Sequence, residues 1–167
     1  MGLVQRAGRH LLTLVNDVLD ISKIEAGQLV IVPRPCDLGT LLRDVHEAVA
    51  PAAAAKGLTV ELHVPEGLPT MVTDGRRVHQ IVLNLAGNAV KFTEQGLVRV
   101  EATVEDDTVA ITVTDSGPGV PAEDLARILG AFQQGVLGRA RKEGSGLGLA
   151  ISVRIATMLG GTLTVES

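Results

Sequence analysis

Apolar side chains recur at helical spacing near the start of the chain, which predicts one long helix from Leu3 to Ala26. Leu11, Val15 and Val18 fall on one stripe of this helix, and further aliphatic residues lie beside it. The stripe is too wide for a solitary surface helix, so we expect a partner helix from another segment or another chain. Gly27 is expected to end the helix as a left-handed cap.

Helical and alternating patterns follow one another through the rest of the chain. Asp37 and Asp74 each stand before a helical pattern and are good N-cap residues. The predicted elements are helices from Asp37 to Lys56 and Asp74 to Lys91, strands at Leu58 to Val64, Leu97 to Val104 and Thr108 to Thr114, a short helix after Val120, a loop from Gln133 to Ser145, a helix from Gly146 to Leu159 and a strand at Thr162 to Glu166.

This order of elements predicts an α+β fold. Helices alternate with strands, but the acidic turn 105–107 joins two strands directly as a hairpin. A hairpin leaves no crossover helix, which excludes a doubly wound sheet. We therefore expect a two-layer α/β sandwich, with a mixed and mostly antiparallel sheet and helices on one face, preceded by the one long helix.

Composition narrows the function classes. Hydrophobic residues make up 46% of the 167 residues but aromatic residues only 1%, so the core must be aliphatic. The net charge of −4 and the absence of charge runs argue against nucleic acid as a partner. No apolar stretch is long enough to cross a bilayer. The single cysteine, Cys36, fits a reducing cytoplasm and has no neighbouring base, so we interpret it as inert.

A polar strip is predicted on the helix that follows Asp74. Ile81 and Leu85 would face the core, while Asn84, Asn88 and Lys91 fall one turn apart on another face. Amide carbonyls can ligate a hard cation such as Mg²⁺, and the ammonium can neutralise phosphate charge. A solvated helix face is the simpler interpretation, but asparagine is a poor helix former and two at this spacing need a reason.

Two glycine-rich segments carry candidate chemistry. Residues 115–119 (DSGPG) follow a strand, where a carboxylate can accept a hydrogen bond from an exocyclic amine such as that of adenine. Residues 144–151 (GSGLGLAI) open a helix, whose free N–H groups suit phosphate. The polar loop that begins at Gln133 and precedes residues 144–151 contains glycine and basic residues, which suggests a mobile lid that closes over phosphates. Each segment alone is also compatible with an ordinary turn, and neither matches the Walker or dinucleotide patterns.

Taken in order, these motifs resemble the histidine kinase family, within the ATPase superfamily that includes gyrase, Hsp90 and MutL. The corresponding segments are 19–27 (LDISKIEAG) for the end of the second dimerisation helix, 84–93 for the N box, 115–119 and 144–149 for the two glycine boxes, and 131–134 (AFQQ) for the F box. The LDISKIEAG helix points to kinases in particular, because gyrase-like ATPases lack it.

The resemblance implies an ATP site with Mg²⁺. Asn88 would ligate the metal, with Asn84 assisting, and Lys91 would contact phosphate. Asp115 would bind the adenine amine in a pocket shaped by the glycines of its turn. The remaining site residues implied are Gly117 and Gly119 in that turn, Phe132 as an anchor of the lid, and Gly144, Ser145, Gly146, Leu147 and Gly148 as its hinge and phosphate-facing amides.

The resemblance also implies a domain order. Residues 1–27 would be the remnant of the dimerisation domain, 28–36 a linker and 37–167 the ATP-binding domain with its last strand missing. The acceptor histidine lies on the helix before this chain, so we expect no catalytic residue here and no autophosphorylation of the isolated chain. The implied partners are a response regulator receiver domain and a second copy bound through the N-terminal helix. Leu129-Gly130 replaces the usual Phe-Glu near the F box.

Other functions remain open at this point. The chain is alternatively a non-catalytic fragment of a degenerate kinase that binds nucleotide or dimerises. A serine kinase of the anti-sigma type shares the scaffold, but the helix before Gly27 argues against it. His46, followed by Glu47 and Pro51, imitates the spacing of the family's acceptor histidine. It lies on the first helix predicted for the ATP-binding domain, so we expect it to stay unphosphorylated.

Overall fold

The computed structural model describes residues 3–121 and 147–167. The chain divides into two compact units, Met1–Val30 with Glu123–Glu166, and Ile31–Ala122 with Ser167. The elements in chain order are α1 (Leu3–Glu25), β1 (Arg34–Cys36), α2 (Leu38–Ala54), β2 (Thr59–His63), β3 (Met71–Thr73), α3 (Gly75–Phe92), β4 (Leu97–Glu105), β5 (Thr108–Asp115) and α4 (Gly148–Met158).

Helix α1 is closed by Gly27, the glycine that the sequence predicted as its cap. Gly27 has a φ of +64°, and the Gln28 N–H reaches back to the Lys23 carbonyl at 2.8 Å. This is a Schellman closure, in which a left-handed residue lets the chain satisfy the last helical carbonyls. Leu11, Val15 and Val18 of the apolar stripe are 62%, 47% and 54% exposed, and the expected partner helix for this stripe stays a prediction. In the same unit, α1 contacts α4.

The second unit contains a mixed sheet. Strand β4 pairs with β2 in parallel and with β5 antiparallel, while β1 and β3 form a separate antiparallel pair. The β4–β5 hairpin turns at Asp106, whose φ is +52°. On the opposite face from the core, Arg99 donates to Glu61 of the neighbouring strand at 2.9 Å. The α+β prediction is therefore confirmed, including the hairpin that excluded a doubly wound sheet.

The core of this unit lies between the sheet and helices α2 and α3. Because side chains alternate along a strand, Val98, Val100 and Ala102 of β4 are buried on one face. Their apolar register partners on β2 and β5, such as Leu62 and Val113, pack against the same core. Leu42 and Val45 of α2 are completely buried against them. The buried hydrophobic cluster is aliphatic, as the composition predicted; its members include Leu38, Leu41, Val49, Val82, Ala86, Ala89, Val98, Val100 and Ala102.

The structure lacks the strand that the sequence predicted near the end of the chain. Residues 162–166 form no strand, so the prediction for Thr162 to Glu166 is wrong. An alternating sequence becomes a strand only when a neighbouring backbone pairs with it, and no such pairing exists for these residues in the described ranges. The predicted short helix after Val120 and the loop from Gln133 to Ser145 lie outside the described residues. The domain boundary at residues 28–36 stays a prediction.

No helix in the described parts of the chain has the length and apolar character that crossing a membrane requires.

Asp74 joins the segment after α1 to the start of α3. The residue is only 8% exposed, and its carboxylate accepts from the N–H groups of Val32 at 3.0 Å and Arg77 at 3.3 Å. Burial raises the pKa of Asp74, but hydrogen bonds from the Val32, Arg77 and Arg76 N–H groups outweigh it and hold the pKa below its usual value. The carboxylate therefore stabilises the fold in its ionised form.

We expect Asp74→Ala to lower the free energy of unfolding by about 1–3 kcal/mol at pH 7, because a cap and a buried acceptor are lost together. A depressed pKa contributes stability above the unfolded-state pKa of about 4, and this contribution is lost as the pH falls through the folded-state pKa. Urea unfolding at pH 7 and at lower pH should show the deficit shrinking on acidification.

The matched control for Asp74 is Asp37, which caps α2 through the Thr40 N–H but is exposed. Asp37→Ala should cost less, since water can replace its lost hydrogen bonds. Equal losses for the two variants would show that the bond to Val32 contributes nothing.

Candidate functional site

Helix α3 carries the predicted polar strip beside its buried face. Asn84, Asn88 and Lys91 are each half-buried. The buried stripe of the helix runs through Val82 and Ala86 and on to Ala89, while Leu85 is only half-buried. The prediction that Leu85 faces the core is therefore wrong, because the core stripe is rotated by one residue towards Val82. Ile81 is buried, as predicted.

The amide of Asn88 is available to a ligand. Within residues 3–121 and 147–167, no group hydrogen-bonds the Asn88 side chain. A half-buried amide with no protein partner retains an oxygen acceptor and two N–H donors for another molecule. Lys91, one turn further on, places its ammonium nitrogen 5.1 Å from the centroid of the Phe92 ring.

Asp115 lies against the C-terminal end of α3. Thr93, which ends the helix, is completely buried, and its hydroxyl is directed at Asp115 Oδ1 across a long 3.4 Å contact. The Gly117 N–H donates to the same oxygen at 2.8 Å. Both contacts use Oδ1, so in the described residues Oδ2 of this exposed side chain has no partner. The structure thus brings the carboxylate at the end of β5 to the helix that carries Asn88 and Lys91.

The turn after β5 is tied down by its own side chains. Ser116 Oγ accepts from the Leu97 N–H at 3.0 Å and donates to the Gln95 carbonyl at 3.1 Å. Gly119 has a φ of +68°, a backbone conformation that favours glycine. These contacts hold the segment behind Asp115 in a defined position. The sequence motif included Ser116, but its partners lie about twenty residues away and have no local signature.

Several predicted site residues are not located by the structure. Phe132, Gly144, Ser145 and Gly146 lie outside the described residues. Leu147 and Gly148 are at the start of α4 in the other unit, where Leu147 is the N-cap and has no side-chain cap of its own. Their roles stay predictions.

Sequence reasoning missed Lys56, which it treated only as the end of a helix. The Lys56 ammonium donates to the carbonyls of Val90 at 2.8 Å, Lys91 at 2.6 Å and Thr93 at 3.1 Å. These partners are more than thirty residues away along the chain, so no local pattern could have revealed them.

His46 makes a structural contact. Its Nε2 lies 3.2 Å from the carbonyl oxygen of Val60 on the neighbouring strand, and the side chain is half-buried. An N–H directed at a carbonyl leaves that nitrogen without a lone pair for nucleophilic attack. The other ring nitrogen, Nδ1, keeps its lone pair in this tautomer, so the expectation that His46 stays unphosphorylated remains a prediction.

Comparison with known proteins gives a consistent family. The family model described as histidine kinase-, DNA gyrase B- and HSP90-like ATPase matches residues 73–167. The chain is 38% identical to the sensor protein GacS of Pseudomonas syringae pv. syringae over all of this chain and 19% of that protein. It is 34% identical to the signal transduction histidine-protein kinase BarA of Escherichia coli K12, again over all of this chain and 19% of that protein.

Solved structures agree with these relatives. Full-length ShkA in complex with AMPPNP matches with a TM-score of 0.80 and 42% identity, over 93% of this chain and 32% of that one. The histidine kinase AdeS of Acinetobacter baumannii matches with a TM-score of 0.75 and 25% identity, over 95% of this chain and 72% of that one.

The chain belongs to the histidine kinase-, DNA gyrase B- and HSP90-like ATPase family. Within that family, the chain is similar over its whole length to part of a named sensor protein and part of a named histidine-protein kinase, in line with the resemblance. It spans about a fifth of the length of the curated relatives it matches.

We expect Gly117→Ala to weaken ATP binding about tenfold, an effect of the size of one charge-assisted hydrogen bond. A Cβ at this position would lie 2.6 Å from Asp115 Oδ1 and 3.4 Å from Thr93 Oγ1, so the carboxylate would have to turn away. Gly8→Ala on α1, where a Cβ meets nothing within 4 Å, is the matched control. Calorimetric titration with ATP measures both variants, and unchanged affinity in Gly117→Ala would contradict the prediction.

Proposed function

We propose that this chain binds Mg-ATP and transfers its γ-phosphoryl group to a histidine that the chain does not itself supply. The observation that carries the proposal is the position of Asp115 at the end of the helix that bears Asn88 and Lys91. A nucleotide lying along α3 would place its base at the Asp115 carboxylate, at the end of the helix. Its phosphates would then reach Asn88 and Lys91 on the helix itself.

Asp115 recognises the adenine base. Its Oδ1 is engaged by the Gly117 N–H, which leaves Oδ2 to accept from the exocyclic amine. The amine is a donor in adenine and is replaced by a carbonyl in hypoxanthine, so a carboxylate here selects adenine by chemistry as well as by shape.

Asn88 supplies an oxygen to the magnesium ion. The amide has no hydrogen-bond partner within residues 3–121 and 147–167, and it fits this role because Mg²⁺ is commonly held by one or two protein oxygens together with substrate phosphates and water. When bound, the ion neutralises charge on the transferring phosphoryl group. Asn84 lies one turn before Asn88 and assists, and the Lys91 ammonium contacts phosphate. From the sequence motif alone, the segment 144–148 would offer backbone N–H groups to phosphate, and Phe132 would anchor the lid.

The transfer itself requires little covalent chemistry from the protein. A neutral imidazole nitrogen attacks the γ-phosphorus with its lone pair while the bond from phosphorus to the bridging β–γ oxygen breaks. ADP leaves, and the proton on the other ring nitrogen passes to water. Positioning and charge neutralisation carry the rate in such reactions. The acceptor histidine belongs to the dimerisation helix that precedes α1 in the whole protein.

The partners follow from this reaction. A second copy pairs through the exposed apolar stripe of α1, and a response regulator receiver domain accepts the phosphoryl group. The domain works in the cytoplasm, where ATP is available. On this reading, residues 1–27 are the end of the dimerisation domain, 28–36 the linker and 37–167 the ATP-binding domain.

The reaction is tested by mixing the chain with a separate domain that carries the acceptor histidine. With γ-labelled ATP, acid-labile label should appear on that domain and not on His46. ATP binding without transfer would instead identify a non-catalytic nucleotide-binding module, and label on His46 would contradict the assignment of the acceptor.

A further inference from the structure

Three backbone carbonyls at the C-terminal end of α3 converge on one ammonium group. The last carbonyls of a helix have no partner within the helix, and a cation near them is also favoured by the helix dipole. At α3 the Lys56 ammonium fills this role, donating to the carbonyls of Val90, Lys91 and Thr93 at 2.6–3.1 Å. An ammonium has three donors, and all three are used here.

The end of α3 differs from that of α1. Helix α1 closes through the left-handed Gly27, whereas α3 ends at Thr93, whose φ of −78° and ψ of 129° are extended. An extended residue cannot fold the chain back over the last carbonyls as a left-handed one does. Lys56 therefore replaces the usual glycine closure and allows the chain to leave the helix straight towards β4.

Two of the carbonyls that Lys56 binds belong to residues of the proposed nucleotide site or to residues that contact it. The Thr93 carbonyl is held by Lys56, while the Thr93 hydroxyl is directed at Asp115 Oδ1. The Lys91 carbonyl is held by the same ammonium, and Lys91 is the proposed phosphate contact. Any movement of the helix end would shift the base-recognising carboxylate relative to the phosphate-directed side chains.

We propose that Lys56 is a positioning residue for the nucleotide site, which fixes the end of α3 so that Thr93 orients Asp115 towards the adenine amine. The inference rests on the proposed function. Lys56 touches neither base nor phosphate and acts through Thr93. Its compact, tetrahedral ammonium suits three convergent carbonyls, and the planar guanidinium fork of arginine does not.

The test compares ATP with inosine triphosphate (ITP), in which a carbonyl replaces the exocyclic amine. Lys56→Met keeps the aliphatic stem and removes the donors. We expect it to weaken ATP binding about tenfold, the effect of one misaligned charge-assisted hydrogen bond. ITP binding should change much less, so that the ratio of ATP to ITP affinity falls. Lys23→Met, an exposed lysine on α1, should leave both affinities unchanged.

Calorimetric titrations of the full chain give both affinities, and urea unfolding of each variant separates positioning from stability. A purely structural role would lower stability and reduce both affinities in proportion. An unchanged ATP to ITP ratio in folded Lys56→Met would overturn the inference. If that variant does not fold, Lys56→Arg, which retains the charge, should show the same fall in the ratio, and a wild-type ratio there would overturn the inference equally.

Failure of the underlying function has a different signature. If the wild-type chain bound no ATP, or bound ITP as tightly as ATP, the assignment of Asp115 to the base would be wrong whatever Lys56 does. A wild-type preference for ATP that Lys56→Met retains would contradict the positioning role alone.

Discussion

Asn88→Ala is expected to reduce the affinity for Mg-ATP by more than about 100-fold, since even second-shell partners of metal ligands are worth 10–100-fold. The Asn88 amide has no partner in the described parts of the chain, so its removal breaks no internal hydrogen bond. Alanine is also the better helix former, by about 0.5 kcal/mol, and the variant should fold at least as stably as the wild type. Loss of binding therefore reports on the ligand and not on unfolding.

If Asn88 is a magnesium ligand, the effect of Asn88→Ala on ATP affinity should depend on Mg²⁺. If the amide acts through the ion, its removal should matter only when the ion is present. Titration with ATP in excess EDTA should give the same weak affinity for wild type and Asn88→Ala, while titration with Mg²⁺ should separate them. Asn16→Ala, on the exposed surface of α1, is the matched control. An equal loss with and without Mg²⁺ would contradict the role as ligand.

Asp115→Ala is expected to weaken ATP binding by about 10–150-fold, the range for a lost hydrogen bond to a charged group. The proposed contact of Oδ2 with the adenine amine would be lost, and the Gly117 N–H would lose its acceptor. ITP presents an acceptor towards the same position and repels the wild-type carboxylate, so its binding should stay constant or improve. The variant should thereby lose the preference for ATP over ITP.

Asp115→Asn distinguishes base recognition from simple packing. The amide keeps nearly the size of the carboxylate, and its oxygen can still accept from the Gly117 N–H. Its NH₂ group then faces the adenine amine, which places donor against donor. We expect Asp115→Asn to lose ATP affinity like the alanine variant. Wild-type affinity in Asp115→Asn would contradict hydrogen-bond recognition of the base, and Asp107→Ala in the β4–β5 turn should leave nucleotide binding unaffected.

Features set by neighbouring residues were predictable from the sequence. Asp37 and Asp74 cap α2 and α3, and Gly27 closes α1, because each acts on backbone groups within one turn of itself. The β4–β5 hairpin was predictable for the same reason, since its two strands alternate and its turn is short and acidic.

Features set by distant partners were not predictable. Residues 162–166 alternate like a strand but have no paired neighbour in the described residues. Leu85 has the right spacing for the core, yet the packing of α3 on the sheet buries Val82 and Ala86 instead. Lys56 and Thr93 shape the candidate site through contacts that span more than twenty residues of sequence. Only the fold brings these groups together.

Calorimetric titration of the folded chain with ATP in the presence of Mg²⁺ tests the nucleotide site most directly. We expect saturable uptake of one nucleotide per chain, a clear preference for ATP over ITP, and loss of uptake in both Asn88→Ala and Asp115→Ala. If well-folded protein takes up no nucleotide, or if both variants bind ATP like the wild type, then α3 and the turn after β5 do not form the nucleotide site.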